Sequence, residues 1–500
     1  MRSKLLGLVA GFGILAATAG SSAIAADGDK GTFRWATFIP PSYPLSPDVA
    51  IPAGTMAHLT LMYEPLVVED LEGNLQPSLA TEWNIDGTTI TMKLREGVTF
   101  HDGAPFDAEA VKANLEYTKA KAAPPIAFRL KSLESVEITG PHEVKLNLTA
   151  PDPVLIYALA RQPGMMISPN GFETSNTAPL GTGPYMLNTD ATIEGSLYQF
   201  DAFADFHTPS EQGFDSVQIK AYPEQVARAA ALTNGEVDGA NINGADAAAM
   251  GENGFQVGEN LSVVFALMPM DRDGKVVPEL ANPAVREAMQ YAVDREALVD
   301  VIEGGIGSVT TQLYSDPKSP WHIADMPDYS YNPEKARQLL DDAGIKELEV
   351  KIPVARLFGK RTQALGGLLK DVGIKADLVP VDLPHTATYL NGDFGMVYAP
   401  VEVLHPKDFL EQFSSPKGLF NPFGIDDPAI TAAYEAASAA APEDADALWT
   451  EALKLFTEQN NIIFVANFTG PVVMAPNVQG ADLRRFMPST PTWRTMSFAK

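Results

Sequence analysis

Leu94-Arg-Glu-Gly-Val-Thr-Phe-His-Asp-Gly-Ala-Pro-Phe-Asp-Ala-Glu-Ala-Val111 reads as the end of a strand, a turn and the start of a helix. Just upstream, Thr89-Ile-Thr-Met-Lys-Leu94 alternates polar and apolar residues, which puts Ile90, Met92 and Leu94 on one face of a half-buried strand. His101-Asp102-Gly103 is a turn signal, because Asp-Gly tolerates the backbone angles that a tight turn needs. Asp107 stands where it caps a helix beginning near Ala108. Glu109 suits the positive end of that helix, and Val111 and Leu115 fall on one of its faces. His101 and Asp102 are residue types of a general acid–base pair, but chain neighbours in a turn rarely aim at one substrate atom. The expectation for them is structural.

The same punctuation recurs outward from this stretch. Residues 136–148 read as a hairpin of two alternating strands joined through Gly140-Pro141. Pro179-Leu-Gly-Thr-Gly-Pro-Tyr185 is a Gly-rich loop without the Lys-Ser/Thr of a phosphate-binding loop. A helix over 225–233 stops at Asn234-Gly235, and Glu236-Val-Asp238 reads as a strand entry. Asn282-Pro283 and Asn332-Pro333 open helices with a cap and a first-turn proline, and Gly344 stops the second of them. Asp294-Arg295-Glu296 opens a further helix closed by Gly304-Gly305. Strands expected at 348–354, after Gly373 and at 394–399 alternate with helices at 360–371 and 386–390, the pattern of βαβ units. Two Ala-rich helices follow near 428–440 and 443–459, and 462–468 reads as a buried strand returning to the first lobe.

Composition bounds the function. Met1 to Ala25 has a basic start at Arg2 and Lys4, an apolar run over 5–19 and a small-residue cleavage pattern at Ala23-Ile-Ala25, the marks of a secretory signal peptide; cleavage after Ala26 fits nearly as well. The chain has no cysteine, which removes disulfides, thiol catalysis and a lipid-anchored cleavage site. The expected address is a Gram-negative periplasm. No later segment has an apolar run long enough to span a bilayer. The formal charge is −27, and loss of Arg2 and Lys4 with the signal takes it to −29, which argues against nucleic-acid and anionic-membrane partners. A mature chain of about 475 residues is too long for one core, so at least two lobes are expected.

Enzyme signatures are sparse. The seven histidines, His58, His101, His142, His207, His322, His385 and His405, form no H-E-x-x-H or i,i+4 metal pair, and there is no G-x-S-x-G elbow. Paired carboxylates of a glycosidase are not visible in a sequence. The expectation is a binder with no catalytic residue, no metal and no cofactor. A secreted hydrolase and a chemotaxis co-receptor remain the alternatives from other classes.

Tyr63-Glu64-Pro65-Leu66, Gly73, Pro77 and Leu79-Ala80-Thr81-Glu82-Trp83 precede the opening stretch. In this order and spacing the segments resemble the substrate-binding proteins of ABC importers of the peptide/nickel class, the bacterial extracellular solute-binding proteins of family 5. The resemblance runs over nearly the whole mature chain. It is most specific over 63–111, 282–302 and 331–344, and weakest over 38–57 and 190–214. It implies an α/β fold of the two-lobed periplasmic binding protein type, class II-like, with an extra subdomain in the first lobe and a ligand cleft at the hinge. The organisation expected is a signal peptide at 1–25, a first lobe from 26–55, 180–268 and 466–500, an extra subdomain at 56–179, and a second lobe at 269–465.

The resemblance also implies a ligand and partners: a peptide or peptide-like small molecule, handed by a monomer to an inner-membrane ABC permease. Nickel chelates, opine-like conjugates and oligosaccharides are the runner-up ligands. Peptide-binding relatives place an acid four residues before a proline, where it takes the ligand's ammonium group. Counting back from Pro406 gives Glu402, with Tyr398 at the usual aromatic position and His405 before the proline as a departure. Arg356 resembles a position that holds a ligand carboxylate, with Arg361 as its nearby competitor. Trp35, Tyr398 and Trp493 are candidate pocket aromatics. A solvated loop acid, a surface arginine and core aromatics are the ordinary readings of the same residues.

Overall fold

The computed structural model describes residues 30–37, 45–49, 58–70, 74–242, 244–258, 263–302, 304–305, 307–355, 358–381, 391–402, 405–468, 472–481, 483 and 494–499. The expected signal peptide, the helix expected at 386–390, Arg356 and Trp493 lie outside these residues.

Alternation over Thr89–Leu94 buries Ile90, Met92 and Leu94 in one core, as their period predicts. This strand is an inner member of a four-stranded antiparallel sheet in the order Ala80–Asp86, Thr89–Leu94, Glu143–Leu148, Leu133–Gly140. The helix Ala108–Lys121 lies against that sheet, and Asp107 Oδ1 accepts from Ala110 N at 3.0 Å, so the cap sits where the sequence put it. Val111 and Leu115 are fully buried beneath it.

His101 and Asp102 turn out to be fastenings. His101 Nδ1 accepts from Gly181 N at 3.3 Å and its Nε2 donates to Gly183 O at 2.9 Å, which ties this subdomain to the Gly-rich loop. Burial holds the ring's pKa below the ordinary histidine value, which suits a neutral ring with one donor and one acceptor. Asp102 faces the other way, accepting from Ser168 Oγ at 2.8 Å and Asn170 Nδ2 at 3.0 Å. The glycines of that loop are there for close approach: a Cβ at Gly181 would stand 2.0 Å from the Met62 carbonyl oxygen.

The first lobe is built on a seven-stranded sheet in the order Gln256–Gly258, Val472–Met474, Gly239–Asn241, Thr32–Thr37, Ser216–Ala221, Leu197–Ala202, Tyr185–Leu187. Thr32–Thr37 runs parallel to both of its neighbours. The strand entered through 236–238 begins at Gly239, and the Asp238 carboxylate just before it accepts from the Arg34 guanidinium, with Nε at 2.8 Å and Nη2 at 2.7 Å.

The second lobe has an antiparallel sheet in the order Ser308–Val309, Ile463–Asn467, Val263–Pro269, Met396–Glu402. Two expectations change here. Val263–Pro269, expected within the first lobe's 180–268 segment, pairs wholly with second-lobe strands, and Val264 and Phe265 bury on opposite faces of that sheet. Ile463–Asn467 also belongs to this sheet, so the return to the first lobe comes after it. Of the strands and helices expected to alternate here, Leu348–Ala355, Gly359–Asp371 and Ile374–Val381 form a βαβ unit with parallel pairing. The third strand of the expected series instead pairs antiparallel with Val263–Pro269 and runs on to Glu402.

Among the described residues the chain passes between the lobes between 258 and 263 and again between 467 and 472. Among the described residues no helix is long and apolar enough to cross a membrane.

Candidate interlobe ligand site

The two crossings fix where the lobes meet. On the first-lobe side, Asn241 and Gly258 both register with Val472, the first residue after the second crossing. The parallel strands Thr32–Thr37, Ser216–Ala221 and Gly239–Asn241 therefore deliver their carboxyl ends to the crossings. Ligands of open α/β sheets bind outside such ends, where loops leave the sheet and turn over its edge. On the second-lobe side, Val263, the first described residue after the first crossing, registers with Glu402, and Val264 with Asn467. Glu402 is thus the last residue of a strand that ends at the crossings, where the sequence suggested a loop.

Aromatic rings gather at this end of the second sheet. The Phe265 ring lies 5.0 Å from Phe358, 5.3 Å from Phe468 and 5.6 Å from Tyr398, centroid to centroid. Arg361, in the first turn of Gly359–Asp371, sets its guanidinium 4.8 Å from the Phe265 centroid and 4.5 Å from that of Phe468. Phe265 follows one crossing and Phe468 precedes the other. A guanidinium over two rings keeps its charge and loses rotational freedom, which suits it to planar pairing with a carboxylate.

The sequence candidates divide accordingly. Tyr398 is in this cluster, 3 % exposed. Glu402 reaches the same end through its backbone register. Arg361, the competitor to Arg356, is the arginine that the described residues bring here. Trp35 is elsewhere: 2 % exposed, in the first-lobe core, with Gly239 packed so tightly on its ring that an added Cβ would lie 2.9 Å from it. Among the described residues no group of three or more His, Asp or Glu is placed to hold a metal ion.

His405 explains the departure before Pro406. Its Nδ1 accepts from Lys407 N at 3.1 Å and so caps the helix Pro406–Phe413, while its ring packs edge-on against Trp321 and Trp449 at 4.8 and 5.7 Å. Burial pushes its pKa down to about 4, so the capping lone pair stays free of a proton at neutral pH; burial does the same to His58. The unfolded chain takes up these protons below about pH 6.5 and the native state only below about 4. Stability therefore falls as pH drops through that window, by about 1 to 2 kcal/mol per ring at pH 5. Urea unfolding should give a lower midpoint at pH 5 than at pH 7.5. His405→Asn, which keeps a capping oxygen, should make that fall shallower, whereas an unchanged pH slope would remove His405 from the account.

Known proteins share this architecture. The periplasmic binding protein DppA from Helicobacter pylori, solved with the peptide STSA, superposes with a TM-score of 0.81 at 19 % identity, covering 94 % of this chain and 98 % of that one. AgaA from A. tumefaciens R10, solved with agropinic acid, gives 0.82 at 21 % identity over 94 % and 99 %. The fold is that of the two-lobed periplasmic binding proteins. The glutathione-binding protein GsiB of Escherichia coli (strain K12) is 33 % identical over 291 residues, 56 % of each protein, so the match spans little more than half the length of that relative. Residues 74–421 match the family of bacterial extracellular solute-binding proteins, family 5 (middle). With well over half of its length inside that match, the chain belongs to the bacterial extracellular solute-binding proteins of family 5.

Proposed function

We propose that this protein is the solute-binding component of an ABC importer, which captures a peptide or peptide-like amphoteric molecule by closing its lobes and passes it to an inner-membrane permease. The observation that carries this reading is the register at the two crossings: three parallel strands of one lobe and the strand ending at Glu402 in the other all end where the chain passes between the lobes, and Arg361 lies over Phe265 and Phe468, which flank those crossings. An arginine and an acid at one cleft suit a ligand with both a carboxylate and an ammonium group. Peptides and glutathione have that pattern, and DppA was solved with a peptide while GsiB is a glutathione-binding protein. Export through residues 1–25, cleavage, and diffusion in the periplasm as an unanchored monomer complete the reading. No reaction is assigned to the site.

A thermal-shift screen tests it. Glutathione, a tetrapeptide, agropinic acid, a nickel–histidine complex and an oligosaccharide are each added in excess. At about one hundred times Kd a ligand of the native state adds roughly 2.7 kcal/mol. An amphoteric compound should raise the melting temperature, and the sugar should not. Stabilisation by the sugar alone, or turnover of a hydrolase substrate with no stabilisation by any compound, would defeat the proposal.

A further inference from the structure

We propose that a buried cluster of opposite charges, shared between the extra subdomain and the helix Pro406–Phe413, is a closure latch that holds a measurable closed population before any ligand binds. Lys407 Nζ lies 3.1 Å from Asp152 Oδ1 and 3.7 Å from Glu411 Oε2. Glu411 also pairs with Lys131 and accepts from Tyr434 Oη at 3.2 Å. Asp152 and Lys131 stand on the subdomain, among residues whose neighbours Leu130 and Leu155 are in its own core. Lys407 and Glu411 stand on a helix whose Phe409, Leu410 and Phe413 are in the second lobe's core. Lys407–Glu411 lies within the helix, but Lys407–Asp152 and Lys131–Glu411 join two separate hydrophobic cores, so these two pairs form only when the lobes are together.

The physics favours a latch over a ligand subsite. Asp152 and Lys407 are 6 % and 8 % exposed, and each is answered by a charge from the opposite lobe. Arg129 and Asp408 complete the cluster and balance its signs. Closure therefore brings no net charge out of water, yet Asp152 and Lys131 of the subdomain are answered from across the cleft, by Lys407 and Glu411. Buried pairs of this kind add little net stability, but losing one partner is costly because the other is left buried and unanswered. The helix that presents Lys407 follows the Glu402 strand, so the latch sits beside the candidate site.

The chain has no cysteine, so two exposed labelling positions, Glu116→Cys on the subdomain and Glu451→Cys on the second lobe, report interlobe distance by double electron–electron resonance. The measurement uses unliganded protein. It rests on the two-lobe architecture and not on any ligand, so it can fail while the proposed function stands. The labelled parent should show a short-distance population. Asp152→Asn, which keeps the oxygen that accepts from Val154 N at 3.2 Å, should lower the short-to-long ratio at least about tenfold. Lys407→Met should do the same from the other lobe, and serves if the first variant fails to fold. The double variant Asp152→Leu with Lys407→Met should recover most of the ratio. A parent that is wholly long-distance, singles within twofold of the parent, or a double as open as the singles would each overturn the latch.

Discussion

Glu64→Gln should destabilise the first lobe by about 3 kcal/mol, a much larger effect than any surface charge in this acidic protein. Glu64 is 1 % exposed. Its carboxylate faces His207 Nε2 at 3.0 and 3.1 Å and pairs with Arg494. Arg494 also reaches Glu211 Oε2 at 2.9 Å and lies 5.4 Å from the Phe206 ring. Burial alone would raise the Glu64 pKa, but Arg494 and His207 outweigh it and hold the group at about 2. The native carboxyl thus resists protonation, and its contribution is full above about pH 4.5 and is lost as pH falls through about 2. Glu211→Gln is the control: Glu211 is 39 % exposed at its side chain, so that change should cost under about 1 kcal/mol. Urea unfolding of both variants at pH 7, and of the parent and Glu64→Gln between pH 5 and 3, checks this. Equal losses from the two variants at pH 7, or an acid limb unchanged by Glu64→Gln, would show that the pair with Arg494 does not anchor the chain's C-terminal end.

Glu64 and Arg494 also show why some of this molecule was legible in its sequence and some was not. Helix caps, turns and strand faces are set by residues within four or five positions of one another. Asp107, Asn282, Asn332 and the Ile90-Met92-Leu94 face therefore appear where their spacing puts them. Sheet membership is a long-range choice. The apolar run at Val263–Pro269 is compatible with either lobe, and only pairing with Met396–Glu402 and Ile463–Asn467 decides it. The same distance hides the charges: Asp152 and Lys407 are 255 residues apart, and Glu64 and Arg494 are 430 apart. Neither pair has a local signature. A hint was available at His405, since an imidazole before Pro406 is also a possible cap, and the residue that replaces an expected acid at a helix start invites that question. Family spacing is what singled out Tyr398 and Glu402, and the structure shows of them a buried ring beside Phe265 and the last residue of a strand. The preference for Arg361 came only from the two phenylalanines that flank the crossings.

Arg361→Ala should weaken a carboxylate-bearing ligand about a hundredfold or more, the range for removing one side of a buried charge-assisted pair. The probe is glutathione, or whichever amphoteric compound stabilises the parent in the thermal-shift screen, and the readout is Kd by titration calorimetry. Loss of the guanidinium also uncovers the Phe265 and Phe468 rings, so some loss of fold stability is expected alongside. Arg361→Lys separates the two effects. A lysine keeps the charge but not the planar fork, so it should restore part of the fold stability and leave most of the affinity missing. Glu402→Gln probes the other end of the ligand and should cost about 2 kcal/mol for a compound with a free ammonium group, with little change for its N-acetylated form. If Arg361→Ala lowers stability yet leaves Kd within threefold, the arginine is a packing residue of the second lobe and the ligand's carboxylate is held elsewhere. If Glu402→Gln weakens both forms equally, its effect comes through the strand Met396–Glu402 and not through contact with an amine.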